Sequence, residues 1–176
     1  QMNIWVPQSA KAGKYKGTLT VTGKNASPME LQIEVDVLNR TLPAPKDWAF
    51  HLDLWQNPYS VARYYQVPLW SKEHFDAMRP IMKMLANAGQ RAITTSIMHK
   101  PWAGQTEDHF DSMITRIKKI DGTWAYDYAV FDKWVEFMMN EIGIDDMISC
   151  YTMIPWALSF DYYDEATNRV QFLNTK

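Results

Sequence analysis

Six side chains that could bind a ligand lie at or near the ends of three predicted strands. The strands cover residues 48–55, 91–97 and 147–152, and each runs into a segment broken by proline. The candidate substrate-binding residues are Asp53, Trp55, His99, Trp102, Tyr151 and Trp156. A carboxylate, an imidazole and flat rings at the rim of a sheet suit a ligand that combines hydroxyl groups with apolar faces, as sugars do.

Each of these side chains also has a purely structural interpretation. An Asp at a strand end often caps a loop or orients an arginine, so Asp53 could do either. Each ring could pack in the core, and Tyr151 lies within its strand, where core packing is an equally good interpretation. The residues alone leave both interpretations open.

Acidic pairs that could cleave a glycosidic bond are scarce. Such cleavage needs two placed carboxyl groups, or one carboxyl group and the substrate's own amide. Asp164-Glu165 is the only Asp-Glu dipeptide, and we expect it at the tip of a hairpin, where acidic residues are ordinary turn formers. Asp145-Asp146 follow Gly143 and are expected in a solvated loop. We therefore assign no catalytic residue within the chain.

Other kinds of chemistry lack their usual signals. The four histidines and the single cysteine, Cys150, have no metal-ligand spacing, and no glycine-rich phosphate loop is present, so we expect neither metal nor cofactor. The net charge of -2 without a basic cluster argues against a nucleic-acid partner. No apolar run is long enough to span a membrane. We expect Cys150, within an apolar run, to be buried.

The candidate residues depend on an alternation of strands and helices after residue 47. In the first predicted strand, residues 50, 52 and 54 share one face and residues 51, 53 and 55 the other. We expect a long loop over 56–70, then a helix that begins after Ser71, ends at Gly89 and is kinked or divided by Pro80. A second helix is predicted over 131–142, ended by Gly143.

Hairpins and an N-terminal β region complete the predicted elements. Asp121-Gly122 predicts a hairpin within 112–127, and another is expected over 158–172. Residues 1–42 read as three strands of a partial antiparallel β-sandwich. The proline-rich segment 43–47 reads as a linker, and residues 48–176 as a partial barrel with hairpin insertions.

Several segments resemble bacterial proteins related to glycoside hydrolase family 123, including members filed as a domain of unknown function. The likeness lies in the run 6–17, the linker Leu42-Pro43, the strand Phe50 to Trp55, Gly122-Thr123-Trp124 and Tyr126-Asp127-Tyr128. The resemblance implies a β-sandwich followed by a (β/α)8 barrel, in a secreted or periplasmic enzyme. It further implies removal of β-linked N-acetylgalactosamine, in which an Asp orients the 2-acetamido group and the adjacent Glu protonates the leaving oxygen.

We therefore expect a fragment that holds the closing strands of a sandwich and about three strands of a barrel. The resemblance implies that the Asp-Glu pair lies beyond Lys176, so the chain would contribute substrate contacts and be inactive by itself. The alternative is a non-catalytic carbohydrate-binding or scaffold protein with a barrel-like fold. An uncovered sheet edge also predicts self-association.

Overall fold

The structure, a computed structural model, describes residues 2–102, 104–152 and 159–174. The chain divides into two compact units, Gln1–Ala44 and Pro45–Lys176. Together they form a mixed α/β protein with several sheets, and the described residues contain no closed barrel. Within the same ranges, no helix combines the length and the apolar composition that crossing a membrane requires.

The first unit is built on one antiparallel hairpin. Strand β1 (Gly13–Gly23) pairs with β2 (Ala26–Val37), and the two residues between them form the turn. The predicted count of three strands is wrong, because residues 3–6 do not pair with either strand and a strand requires a paired neighbour. The assignment of this unit to a β-sandwich stays a prediction.

The second unit alternates helices with strands and carries two hairpins. Its helices are α1 (Pro58–Tyr65), α2 (Lys72–Asn87) and α3 (Ala129–Glu136), which continues as a π-helical turn over Phe137–Ile142. Its strands are β3 (Ala92–Ser96), β4 (Thr115–Lys118), β5 (Trp124–Asp127), β6 (Met147–Tyr151), β7 (Ser159–Asp164) and β8 (Arg169–Asn174). A short 3₁₀ turn over Pro45–Asp47 precedes them.

The predicted second and third strands are confirmed as β3 and β6, which pair in parallel over their whole length. Every residue of β3 is buried. The apolar side chains of α2, α3 and the π-helical turn pack on this strand, with Trp134 fully buried. The Trp134 indole N–H donates to the Thr94 carbonyl at 3.0 Å, so the largest core ring has no unsatisfied polar atom.

The predicted first strand, residues 48–55, is wrong as a regular strand. It is reduced to one parallel bridge between Leu52 and Gln90, while Phe50 is 66% exposed. Side-chain amides replace the expected backbone ladder. The Leu54 N–H donates to Gln90 Oε1 at 2.8 Å, and the Thr94 N–H donates to Gln56 Oε1 at 2.8 Å. The segment therefore lies beside β3 without forming a continuous strand.

The segment 56–70, predicted as a loop, contains α1. The Asn57 side chain accepts the Ser60 N–H at 3.2 Å, and Pro58 occupies the first turn, where its missing N–H costs nothing. The predicted helix after Ser71 is confirmed as α2, capped by the Ser71 hydroxyl. Pro80 does not divide it.

The two predicted hairpins are confirmed, and they join into a single sheet of order β5-β4-β7-β8. The join is a parallel pairing of β4 with β7 that includes Ile117 opposite Tyr163. Asp164 ends β7, which confirms the predicted place of Asp164-Glu165 at a hairpin tip. We refer to these four strands as the hairpin sheet.

The expectation that Cys150 is buried is wrong. Cys150 lies on β6 and is exposed. In the two-stranded sheet β6 has β3 on one side, and its Met147 and Ile148 are 43% and 41% exposed.

Candidate functional site

Three of the candidate rings come together at the carboxyl ends of β3 and β6. Trp55 stacks on Trp102 with ring centroids 5.3 Å apart and 28° between the planes. Tyr151 contacts Trp55 edge-on at 5.3 Å and Trp102 at 4.7 Å. We call Trp55, Trp102 and Tyr151 the aromatic cluster.

Each ring of the cluster comes from a different element. Trp55 precedes Gln56, whose backbone N–H donates to Thr94 Oγ1 at 3.2 Å and so holds the segment against β3. Tyr151 is the last residue of β6, and its carbonyl accepts the Ile97 N–H at 3.1 Å. Parallel strands bring their carboxyl ends to one edge, which is why residues far apart in sequence meet here.

The exposure of the rings separates a contact surface from its support. Trp55 is 58% exposed, whereas Trp102 is only 7% exposed. Phe110 packs edge-on against Trp102 at 4.5 Å, and Tyr59 packs against Phe110 at 5.5 Å. Trp55 is therefore the ring that can stack on a ligand, and Trp102 is the base that fixes its plane.

A carboxylate and a phenol complete this site. Burial, and secondly the negative charge of Asp53, raise the pKa of Tyr151, while its interaction with Trp55 partly offsets this. The Tyr151 hydroxyl therefore stays protonated at neutral pH and can donate a hydrogen bond. The exposed Asp53 carboxylate accepts hydrogen bonds. The aromatic cluster with Asp53 can thus bind hydroxyl groups and an apolar face together.

The other two candidate residues do not join this group. His99 pairs with Asp111, with 3.3 Å between Nδ1 and Oδ1, and its ring contacts Phe172 edge-on at 5.5 Å. Trp156 lies outside the described residues. Asp53, Trp55, Trp102 and Tyr151 are therefore brought together, and His99 faces a different part of the surface.

A half-buried basic side chain, Arg116, fixes the exit of β3. The Arg116 guanidinium donates to the Ile97 carbonyl and contacts Met98 Sδ at 2.8 Å. Burial lowers the pKa of Arg116, and the charge of Asp161 acts in the opposite direction. Asp161 Oδ1 is itself buried without a hydrogen-bond partner among the described residues. Asp161 thus favours the charged Arg116 that holds the start of the β3–β4 loop.

The Asp164-Glu165 pair is engaged in structural contacts. Glu165 Oε1 lies 2.6 Å from Lys119 Nζ, and Asp164 Oδ1 accepts the Ala166 N–H at 2.9 Å. Across the described ranges, no group of three or more His, Cys, Asp or Glu side chains is arranged to hold a metal ion. Asp164 and Glu165 are thus turn and ion-pair residues of the hairpin sheet, apart from the aromatic cluster.

The sequence did not identify the residues that support the site. Gln56 is 2% exposed and Gln90 is 5% exposed, although glutamine is usually a surface residue. Phe110, beneath Trp102, lies in a long loop whose apolar side chains show no period. The only available signal was Gln56 directly after Trp55, and a single residue type carries too little information to predict a buried amide bridge.

Comparisons with known proteins match this chain to one family. Residues 55–176 match the family described as Glycoside hydrolase 123, catalytic domain. Among solved structures, the chain is similar to a family 123 glycoside hydrolase from Clostridium perfringens, whose structural analysis addressed glycolipid glycan hydrolysis. The sequences are 34% identical, the TM-score is 0.88, and the match covers 96% of this chain but 30% of that one. The comparison with curated proteins found no match.

Proposed function

The chain belongs to glycoside hydrolase family 123, and from that premise we propose that it is part of an enzyme that removes β-linked N-acetylgalactosamine from glycans. The similar enzyme from Clostridium perfringens, described for glycolipid glycan hydrolysis, supports a carbohydrate substrate. The N-acetylgalactosamine specificity rests on the resemblance of the sequence segments. The enzyme would be secreted or periplasmic, where such glycans are met.

The second unit would supply the first three strands of a (β/α)8 barrel. The segment 52–56, β3 and β6 lie side by side, since Leu52 bridges Gln90 in parallel on one side and β6 pairs in parallel on the other. Helices α2 and α3 follow the first two of these segments, as a barrel requires. The hairpin of β1 and β2 would be the closing part of a β-sandwich.

The catalytic carboxylate pair of the whole enzyme would lie in sequence that follows Lys176. Two observations support this. The chain spans 30% of the length of the similar enzyme. In addition, Asp164 accepts a hydrogen bond within the turn, and Glu165 forms an ion pair with Lys119. The chain itself would bind substrate. We expect the 176-residue chain to release no aryl product from an aryl β-N-acetylgalactosaminide, and measurable turnover would contradict this assignment.

The observation that carries the binding role is the exposed Trp55 ring stacked on the buried Trp102 ring. A pyranose has a flat apolar face of C–H groups that stacks on such a surface, while its hydroxyl groups reach Asp53 and Tyr151. Trp55 is 58% exposed and is nevertheless held in a fixed plane.

A binding titration tests this role. Methyl β-N-acetylgalactosaminide is titrated into the chain and followed by calorimetry, with Trp55→Ala as the test variant and Trp5→Ala as the control, because Trp5 is 91% exposed in the other unit. We expect Trp55→Ala to weaken binding by about tenfold or more and Trp5→Ala to leave it unchanged. Equal affinities for all three proteins would refute the role of the aromatic cluster.

Self-association is a further part of the proposal. The exposed Met147 and Ile148 on β6 support it, because among the residues that the structure describes no strand other than β3 pairs with β6. Sedimentation velocity at increasing concentration should show species larger than the 20.5 kDa chain. A sedimentation coefficient that stays at the monomer value over the whole range would contradict it.

A further inference from the structure

We propose that the chain has a second carbohydrate site, which binds a neutral sugar unit in the cleft that contains His99. This cleft has a volume of about 580 Å³ and lies among α1, the loop after α1 and the β3–β4 loop. The volume falls within the roughly 300–1,000 Å³ of ordinary ligand pockets. We call it the histidine cleft. The inference rests on the proposed function only in that the ligand is a glycan.

A wall of packed rings separates the histidine cleft from the aromatic cluster. Phe110 contacts Trp102 on one side and Tyr59 on the other, at 4.5 Å and 5.5 Å. Tyr59 lines the cleft, and its hydroxyl donates to the Asp111 carbonyl at 2.7 Å. The two sites therefore share a rigid partition and are distinct binding surfaces.

The charges around the cleft favour a neutral ligand. Arg63 is bound by both oxygens of Asp108, with its Nε at 2.7 Å and 2.9 Å, and His99 pairs with Asp111. The other polar groups of the lining are the Lys100 amine, the Glu107 carboxylate and the His109 ring. A phosphate or carboxylate ligand would meet no net positive charge here.

The polar groups of the cleft match the chemistry of hydroxyl groups. The lining carries the ring nitrogens of His99, the Lys100 amine, which is a donor, and the Glu107 carboxylate, which is an acceptor. A sugar hydroxyl both donates and accepts, so it can pair with either kind of group. Apolar side chains on the same lining, Ala62, Val67 and Leu69, can contact the C–H face of the ring.

The backbone holds Lys100 at the cleft in an uncommon conformation. Its φ is +48°, in the left-handed region that a side chain disfavours, and its N–H donates to the Phe110 carbonyl at 2.7 Å. Backbone strain of this kind persists where the surrounding structure enforces it and is concentrated at binding sites. A second cleft, of about 500 Å³, lies between α2 and α3. There Arg79 donates hydrogen bonds to Asp76 and Glu141, so its charge is already paired within the protein.

The experiment uses the whole chain and lactose, a neutral disaccharide, as the probe. Amide shifts in ¹⁵N spectra are recorded during titration with lactose, with methyl β-N-acetylgalactosaminide and with N-acetylneuraminic acid, an anionic sugar. We expect lactose to shift the amides of His99, Lys100 and His109. His99→Ala and Lys100→Met should each weaken lactose binding by about fivefold to tenfold.

Matched control variants show whether a loss of lactose affinity comes from the histidine cleft. His51→Ala and Lys133→Met remove an exposed histidine and an exposed lysine elsewhere and should leave lactose binding unchanged. His99→Gln keeps an acceptor and should retain part of the affinity. Trp55→Ala should leave the lactose shifts in the histidine cleft intact, so failure of the aromatic cluster would not imply failure here.

Two results would overturn the proposal. One is a well-dispersed spectrum in which lactose moves none of the cleft amides. The other is tighter binding of N-acetylneuraminic acid than of lactose with a loss of affinity on added salt, which would make the cleft an anion site.

Discussion

Two groups of stacked aromatic rings in the second unit differ in what covers them. Around Trp134, rings and methionines close on one another and the indole N–H bonds to a backbone carbonyl. In the aromatic cluster the ring centroids are 4.7–5.3 Å apart, closer than the 6.0 Å and 6.2 Å around Trp134, yet Trp55 is 58% exposed. Ring contacts therefore do not tell a core from a binding surface. The exposure of the outermost ring is what distinguishes the aromatic cluster from the core, and it supports the proposed binding role.

The largest expected effect is on the covered group. Trp134→Ala removes a fully buried ring and its hydrogen bond, so we expect a loss of about 3–5 kcal/mol in unfolding free energy. Urea denaturation followed by circular dichroism measures it. A loss below about 1 kcal/mol would mean that the ring is not part of a packed core.

The next effect concerns Gln56, which connects the segment of Trp55 to Thr94, the residue whose carbonyl accepts the Trp134 indole N–H. Gln56→Ala removes the amide that binds the Thr94 N–H, and leaves buried backbone groups without partners, at a cost of about 1–3 kcal/mol. We also expect weaker binding of methyl β-N-acetylgalactosaminide, since Gln56 holds the segment that carries Trp55. Unchanged affinity with reduced stability would show that Trp55 does not need this anchor.

The next prediction concerns the pH dependence of the unfolding free energy, which His74 should influence. His74 is fully buried; its Nδ1 accepts the Trp70 N–H at 3.1 Å, and its Nε2 donates to the Pro58 carbonyl at 2.8 Å. Burial lowers the pKa of His74 below its ordinary value of 6.5. The unfolded chain therefore binds the proton first, and the unfolding free energy should fall as the pH drops below about 6.5.

Denaturant titrations between pH 7.5 and 5 test the His74 effect. His74→Gln, which lacks a group that titrates in this range, should flatten the pH dependence relative to the parent chain. His51→Ala, which removes an exposed histidine, serves as the control and should keep the parent slope. The same slope in His74→Gln would assign the effect to other groups.

The smallest effect is the stability change from Trp55→Ala. Because most of this ring already contacts solvent, we expect less than about 1 kcal/mol, against the much larger loss for Trp134→Ala. Thermal unfolding of the two variants in parallel measures the contrast. Equal losses would remove the distinction between a sealed core and an open binding surface.

The sequence predicted those elements that local chemistry determines. The β-branched run at 93–97 predicted β3, Ser71 predicted the start of α2, and Asp121-Gly122 predicted the hairpin of β4 and β5. The meeting of Trp55, Trp102 and Tyr151 followed from one rule, that parallel strands place their carboxyl ends at the same edge.

The remaining features depend on contacts between distant residues. The alternation at 48–55 resembled a strand, but Gln56 and Gln90 replaced its backbone ladder with amide bridges. His99 was predicted to join the rings at the strand ends. The left-handed Lys100 and the pairing with Asp111 placed it in the histidine cleft instead. Such pairings leave no periodic signal in the chain.

The parallel pairing of β4 with β7 links two hairpins, β4–β5 and β7–β8, that follow the paired strands β3 and β6. One hairpin follows β3 and the other follows β6, yet they share one hydrogen-bonded ladder. The ladder joins two residue pairs, so a displacement of either hairpin by itself would break it. In related chains the two insertions should therefore be gained, lost and displaced as a single module.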